Sequence, residues 1–334
     1  MLQSKSFKIL CGISLIILSL LSLTLGPTPM DKLLTEAYQR LTVGSPWNPL
    51  IDERLPRLLV CLFSGASLAC SGAVMQSLFR NPLASPSVLG CTFGASFFVS
   101  LVFASNLQLS FPFLVSIAGI LGCLISLFIV YAMSHKNNLL NLNVLILSGI
   151  AVSTVFISMQ NVLIYQLKEN WHLMQTITEW SNGQTHDLNW THVHLQAPLT
   201  IIGLAVCLRY TKELNLLATG EEEARVLGVN VEQVRFRLLL ASSLLIGGTV
   251  ASCGIISFFG LILPHILRKL FGSNNRYLIP SSIFGGAFTF AGLDLILRIG
   301  KIQAFSIGNI SAVFGGIFFL FLLYQQKQES IYEC

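Results

Sequence analysis

Charge is what this chain has least of. Lys, Arg, Asp and Glu make up only 10% of its 334 residues, and the formal net charge is a modest +5. That balance fits membrane orientation better than nucleic-acid binding. Cysteine is present but unorganised: Cys11, Cys61, Cys70, Cys91, Cys123, Cys207, Cys253 and Cys334 contain no CxxC pair. This excludes a recognisable disulfide or zinc framework, and most of these residues read as small buried groups. Missing too are a GxxxxGK[ST] phosphate loop, a nucleophile elbow and an HExxH run. The chain therefore has no such device for holding ATP and no recognisable catalytic constellation.

Apolar residues are what it has in abundance, at 53% of the chain, with a mean hydropathy of +0.72. A soluble domain is excluded at that level, and a polytopic membrane protein is implied. The apolar runs are continuous rather than alternating, so they read as helices and not as barrel strands. Lys5 and Lys8 precede an apolar run at 9–25 without a small-x-small cleavage site, which predicts an uncleaved first span. Further spans are expected near 58–78, 87–105, 111–133, 143–165, 195–210, 238–254, 255–270, 278–298 and 305–324. The fold class expected is all-α, with about ten transmembrane helices in one domain over 1–334.

Ten spans place both termini on one side. With that side cytoplasmic, 13 of the 20 Lys and Arg residues lie inside and 7 outside, in line with the positive-inside rule. The expected outer loop, 166–194, carries Trp171, Trp180 and Trp190, which suit an interfacial belt. His172, His186, His192 and His194 also fall there, without a carboxylate or cysteine at metal-ligand spacing, so no metal site is assigned.

Residues 212–237 stand apart. Nine of these 26 residues are charged, which places the segment in water. Thr219 and Gly220 can cap a helix, and Glu221, Glu222 and Glu223 fall in its first turn, where the helix dipole favours negative charge. Gly228 can end it in the left-handed conformation. Ala224 and Leu227, three apart, are expected to form a small apolar ridge facing solvent. Such a helix either lies in a partner's groove or is a polar spacer between spans.

Other motifs stand out along the chain. Arg54-Leu55-Pro56-Arg57 opens the second span on the outer side; its arginines either snorkel to headgroups or dock an acidic external partner. Arg80-Asn81-Pro82-Leu83-Ala84-Ser85-Pro86 is a rigid inner turn. Ser71, Gly72 and Gln76 before it, and Gly90 and Gly94 after it, permit close helix packing. His265 reads as a hydrogen-bonded structural group. Asp294 and Arg298, four apart, are close enough along a helix to pair, which would lessen the cost of burying either. Few ionisable groups lie inside spans, which argues against the rival class, an ion-coupled secondary transporter or channel.

Taken together, RLPR at 54–57, SGAVMQSLFRNPLASPSVLG at 71–90, WSNG at 180–183, EEEARVLGV at 221–229, GIISFFGLILPHILRKLFG at 254–272, YLIPSSIFGGAF at 277–288 and GLDLILR at 292–298 resemble the permease subunit of type II ABC importers. These are the iron-siderophore, haem and vitamin B12 permeases of the FecCD type. The chain departs from that pattern at Ala304–Gly308, at Gly254-Ile255-Ile256 and at Gly315–Phe318, which lack the family's usual prolines and acidic residue.

The resemblance implies a subunit of a bacterial cytoplasmic membrane importer, without catalytic activity or cofactor of its own. Its partners would be two cytoplasmic ATPase subunits that hold ATP and Mg, a second permease copy or paralogue, and a periplasmic or lipid-anchored binding protein. It further implies an ATPase-coupling helix at Gly220, Glu221, Glu222, Glu223, Ala224, Leu227 and Gly228. Arg54, Arg57 and Arg298 would dock the binding protein, and Asn81 and Leu83 would help to close the pathway's cytoplasmic end. The expected substrate is a ferric siderophore-like chelate, with haem and cobalamin as alternatives.

Overall fold

Lipid provides little hydrophobic drive for helices to associate, so the bundle is organised by where small residues let backbones meet. The computed structural model describes residues 5–25, 48–136, 139–300 and 305–332, together with Thr35, Tyr38 and Thr42. Lys32, Arg40 and Lys301 of the charge count, Ala304 and Cys334 lie outside the described residues.

The long elements are α1 (Lys5–Thr24), α2 (Leu55–Leu78), α3 (Cys91–Ala104), α4 (Phe113–Ser134) and α5 (Leu142–Gln166). They continue as α6 (Trp171–Ser181), α7 (Trp190–Arg209), α8 (Thr211–Thr219), α9 (Glu221–Val226) and α10 (Val231–Cys253). The last three are α11 (Phe259–Phe271), α12 (Asn275–Ile299) and α13 (Ile307–Tyr332). A two-residue antiparallel ladder, His135–Lys136 with Leu139–Leu140, joins α4 to α5.

Six of these helices are long and apolar enough to cross a membrane, and α1, α3 and α13 contain shorter apolar stretches. With the 13-residue α11, these make ten apolar helices among the described residues, in line with the about ten spans expected.

Helix α2 is the centre. It packs against α7, α10, α11 and α12, and its sequence, SGASLACSGAVMQS over 64–77, is small or polar almost throughout. A Cβ on Gly65 would lie 2.2 Å from the carbonyl oxygen of Gly286 in α12. One on Gly72 would lie 1.6 Å from that of Gly260 in α11. The backbones touch at both crossings, and a methyl group would separate them. The lipid-facing helices read oppositely: α5 exposes Leu147, Ile150, Val155, Met159 and Val162.

The segment between α5 and α7 differs from the expected open loop. Leu173, Ile177 and Trp180 recur at helical spacing, so α6 forms and buries that face. Trp180 is 8% exposed and its ring stands 6.1 Å from that of Phe103, so it is a core residue and not part of an interfacial belt. The turn between α10 and α11 is tight: Gly254 (φ +75°) closes one helix and Phe258 (φ +61°) opens the next. Gly315 leaves the space that Phe258 occupies, since a Cβ there would come within 2.2 Å of the Phe258 Cβ. The cysteines behave as expected, with six of the seven described residues buried and all seven free.

Candidate functional site

The functional side chains gather at the two ends of the bundle. One end carries α8 and α9 and is called here the charged end; the other carries Arg57 and Asp294.

At the charged end, α9 is six residues long. Gly220 precedes it in an extended conformation, and the Thr219 hydroxyl bonds back to the Leu216 carbonyl (2.8 Å) rather than capping the helix as expected. Glu221, Glu222 and Glu223 do occupy the first turn. Glu222 and Glu223 are exposed, while Glu221 is paired with Arg235 of α10. That hydrogen bond holds the Glu221 carboxyl below its usual range.

Gly228 (φ +84°) ends the helix in the left-handed region, as expected. Its N–H donates to Arg225 O (2.9 Å) and that of Val229 to Ala224 O (2.9 Å), the paired bonds of a left-handed helix stop. This closure corrects the expected ridge. The chain folds back over Ala224, which is 0% exposed and belongs to the protein's own core. Leu227 has already left the helical path and is 62% exposed, beside Val226 at 87%. The outward apolar pair is therefore Val226 and Leu227. An open groove of about 640 Å³ lies between Asn141 and Asn143 on one side and Glu222 and Arg225 on the other.

The turn after α2 sits at the same end. Arg80 adopts φ +50° and its Nε donates to Leu217 O of α8 (2.9 Å). Asn81 is exposed, and its side-chain oxygen accepts from Leu83 N (2.9 Å), stiffening the turn as its prolines predict. Leu83 is half-buried. Gln76 donates to Leu261 O (3.0 Å), and His265 packs edge-on against Phe318 (5.6 Å).

At the opposite end the three predicted arginines are turned inward. Arg57 is buried and forms a two-pronged ion pair with Asp294, Nη2 to Oδ1 2.8 Å and Nε to Oδ2 3.1 Å. The Thr185 hydroxyl donates to Asp294 Oδ1 (2.6 Å). Asp294 thus pairs with Arg57 rather than with Arg298. Arg54 is buried and its Nη1 donates to Leu23 O (2.9 Å) and Thr24 O (3.2 Å). Arg298 donates to the Ser22 carbonyl and hydroxyl. The last carbonyls of a helix have no partner within it, and here two guanidinium groups satisfy those of α1. Free, exposed docking cations at Arg54 and Arg57 are not what this geometry provides.

Thr185, central to the Asp294 contact, lies in a polar loop and carries no signal in the sequence; only distance across the fold reveals it. Two of the four histidines of this segment are used locally: His192 engages Asn189 in a capping box and His194 stacks on Trp190 (5.9 Å).

Comparison with known proteins places this geometry. The family model described as the FecCD transport family matches residues 14–325. The chain is 34% identical over 330 residues to the hemin transport system permease protein HmuU of Yersinia pestis, covering 96% of this chain and 97% of that protein. It is 33% identical over 313 residues to the Fe(3+) dicitrate transport system permease protein FecD of Escherichia coli, covering 92% and 95%. A solved inward-facing structure of a metal-chelate type ABC transporter superposes with a TM-score of 0.79 at 28% identity, covering 94% of this chain and 97% of that one. With a matched region reaching from α1 into α13, and relatives matched over almost their whole length, this chain belongs to the FecCD transport family.

Proposed function

We propose that this protein is the membrane permease of an ATP-driven importer for an iron chelate. It takes the chelate from a binding protein and is driven by two separate ATPase subunits. A second permease, identical or paralogous, completes the pathway. The charged end faces the cytoplasm, with both termini, and the Arg57–Asp294 end faces outward. The observation that carries this reading is α9, a short helix closed by Gly228 that presents Val226 and Leu227 outside the bundle. Relatives named for Fe(3+) dicitrate and iron(3+)-hydroxamate transport support an iron chelate as cargo, with haem and cobalamin, the cargoes named for other relatives, as the alternatives. Arg54 and Arg57 hold the frame of the outer face, and the half-buried Arg298 is the one of the three placed at its rim. Asn81 and Leu83 narrow the cytoplasmic end of the pathway.

The experiment is uptake by proteoliposomes containing the permease and its ATPase, offered ferric citrate, a ferric hydroxamate, haemin and cobalamin with their binding proteins. ATP-dependent uptake of a ferric chelate is expected; uptake of cobalamin alone rejects the substrate, and uptake without ATPase rejects the class. Orientation is read by cysteine labelling. A thiol placed at 186 should react with an impermeant reagent from outside, and one at Glu222 only with a permeant one.

The outward pair carries its own prediction. Val226→Asp with Leu227→Asp should leave the permease folded, because both side chains already meet solvent. It should lower ATP-driven uptake by about tenfold or more, the size of a typical coupling energy. Wild-type uptake by the double variant would assign α9 the role of a spacer. Ala224→Asp is not an equivalent test, since it places an unpaired carboxylate in the permease's own core.

A further inference from the structure

Four connections lie at the charged end: residues 79–90 between α2 and α3, 135–141 between α4 and α5, the α8–α9 segment between α7 and α10, and 272–274 between α11 and α12. Each of the other three is hydrogen-bonded to the α8–α9 segment or the first turn of α10. From the first, Arg80 Nε donates to Leu217 O (2.9 Å). From the second, Leu140 N donates to Glu232 Oε2 (3.1 Å), while Arg225 of α9 donates to the other Glu232 oxygen (3.3 Å). From the third, Asn215 Nδ2 donates to Asn274 Oδ1 (2.8 Å) and Asn215 Oδ1 accepts from Asn275 N (2.8 Å).

These contacts are built rather than incidental. Arg80 holds a left-handed backbone conformation, uncommon for a residue with a side chain, and that conformation accompanies the reach to Leu217. Asn275 is 1% exposed and its side chain also accepts from Ser77 Oγ (2.6 Å), so the Asn215 contact continues into the end of α2. Glu232 sits between three elements, with Arg235 of α10 approaching the same oxygen that Arg225 uses (3.9 Å).

We propose that Arg80, Asn215 and Glu232 are positioning residues that carry a displacement of α8–α9 to the other three connections at this end. The proposal rests on the transport reading above and adds the route of transmission. Polar tethers suit the task, because a carbonyl or carboxylate clamp moves with its partner, whereas a greasy contact slides. Among the described residues, Leu140 N of the α4–α5 ladder and Arg225 of α9 both bond Glu232, so Glu232 is the side chain through which the ladder follows that helix.

The test uses the assembled permease–ATPase complex in proteoliposomes, with Arg80→Met, Asn215→Leu and Glu232→Met made singly and together. Each single change should lower the substrate moved per ATP hydrolysed by about threefold, and the triple change by about tenfold or more. The amount of assembled complex and its ATP hydrolysis should stay near wild type. A merely structural role predicts that hydrolysis, assembly and uptake fall together, and that result overturns the proposal, as does a wild-type ratio in the triple variant. Should the triple variant not assemble, the single ones decide.

A second measurement does not depend on transport. Spin labels at the exposed positions Asn143 and Glu222 report the spacing between α5 and α9. In wild type that spacing should stay constant between nucleotide-free and nucleotide-bound complexes, and Glu232→Met should let it change. A spacing that varies in wild type, or one that Glu232→Met leaves constant, overturns the tether. Absence of uptake in wild type with constant spacing rejects the transport reading and leaves the tether standing.

Discussion

Asp294→Ala is expected to remove most of the folded protein. Asp294 is 2% exposed and satisfies Arg57 through both carboxylate oxygens, with Thr185 on one of them. Deleting it leaves a guanidinium buried without its counter-charge, which typically costs 3–5 kcal/mol, a large part of a stability of roughly 5–15 kcal/mol. Arg57→Ala should act similarly, by stranding the carboxylate. The pair itself need not stabilise the fold, because desolvation offsets much of its attraction. The double variant Arg57→Met with Asp294→Leu should therefore recover most of the loss, as a strongly non-additive cycle. Thr185→Val removes a single hydrogen bond and should cost only about 1 kcal/mol. Monodisperse yield and thermal unfolding in detergent provide the measurement. Wild-type unfolding of Asp294→Ala would mean that Arg57 reaches water, and the inward assignment of that arginine would fall.

Gly72→Ala should be nearly as severe, although it adds only one methyl group. Its Cβ would lie 1.6 Å from the carbonyl oxygen of Gly260, where the neighbour is backbone and no side chain can swing aside. Overpacking usually costs 1–3 kcal/mol, and a clash with main chain belongs at or above the top of that range, roughly 3 kcal/mol. Gly65→Ala meets Gly286 O at 2.2 Å and should behave alike. Gly316→Ala is the control: nothing lies within 4 Å of its Cβ, and exchanging glycine for alanine inside a helix is favourable by up to about 1 kcal/mol. The same unfolding measurement separates them. Equal stability of Gly72→Ala and Gly316→Ala would show that α2 and α11 stand further apart than described.

Several features were legible in the sequence because they depend on local chemistry or on the bilayer. Continuous apolar runs must become helices in lipid, where no water satisfies the backbone, so about ten apolar helices followed from hydropathy alone. Gly228 could end α9, because glycine tolerates the left-handed turn that separates it from the next helix, which begins at Val231. Small residues in α2 announced close packing before any partner was known. The motifs from RLPR to GLDLILR carried the family.

What the sequence could not decide was direction. Ala224 and Leu227 sit three apart and look like one ridge, yet the helix stop folds Val229 back over Ala224 and turns Leu227 outward. Asp294 has Arg298 four residues away, but its partner is Arg57, 237 positions distant, because α2 and α12 touch along their glycines. Arg54 and Arg298 meet the end of α1, whose last carbonyls need donors. A side chain's spacing along a helix follows from sequence, whereas what covers it depends on which elements pack beside it. That choice was made by the tertiary structure, and it buried Arg54 and Arg57 in the frame of that end while leaving Arg298 half-buried beside them.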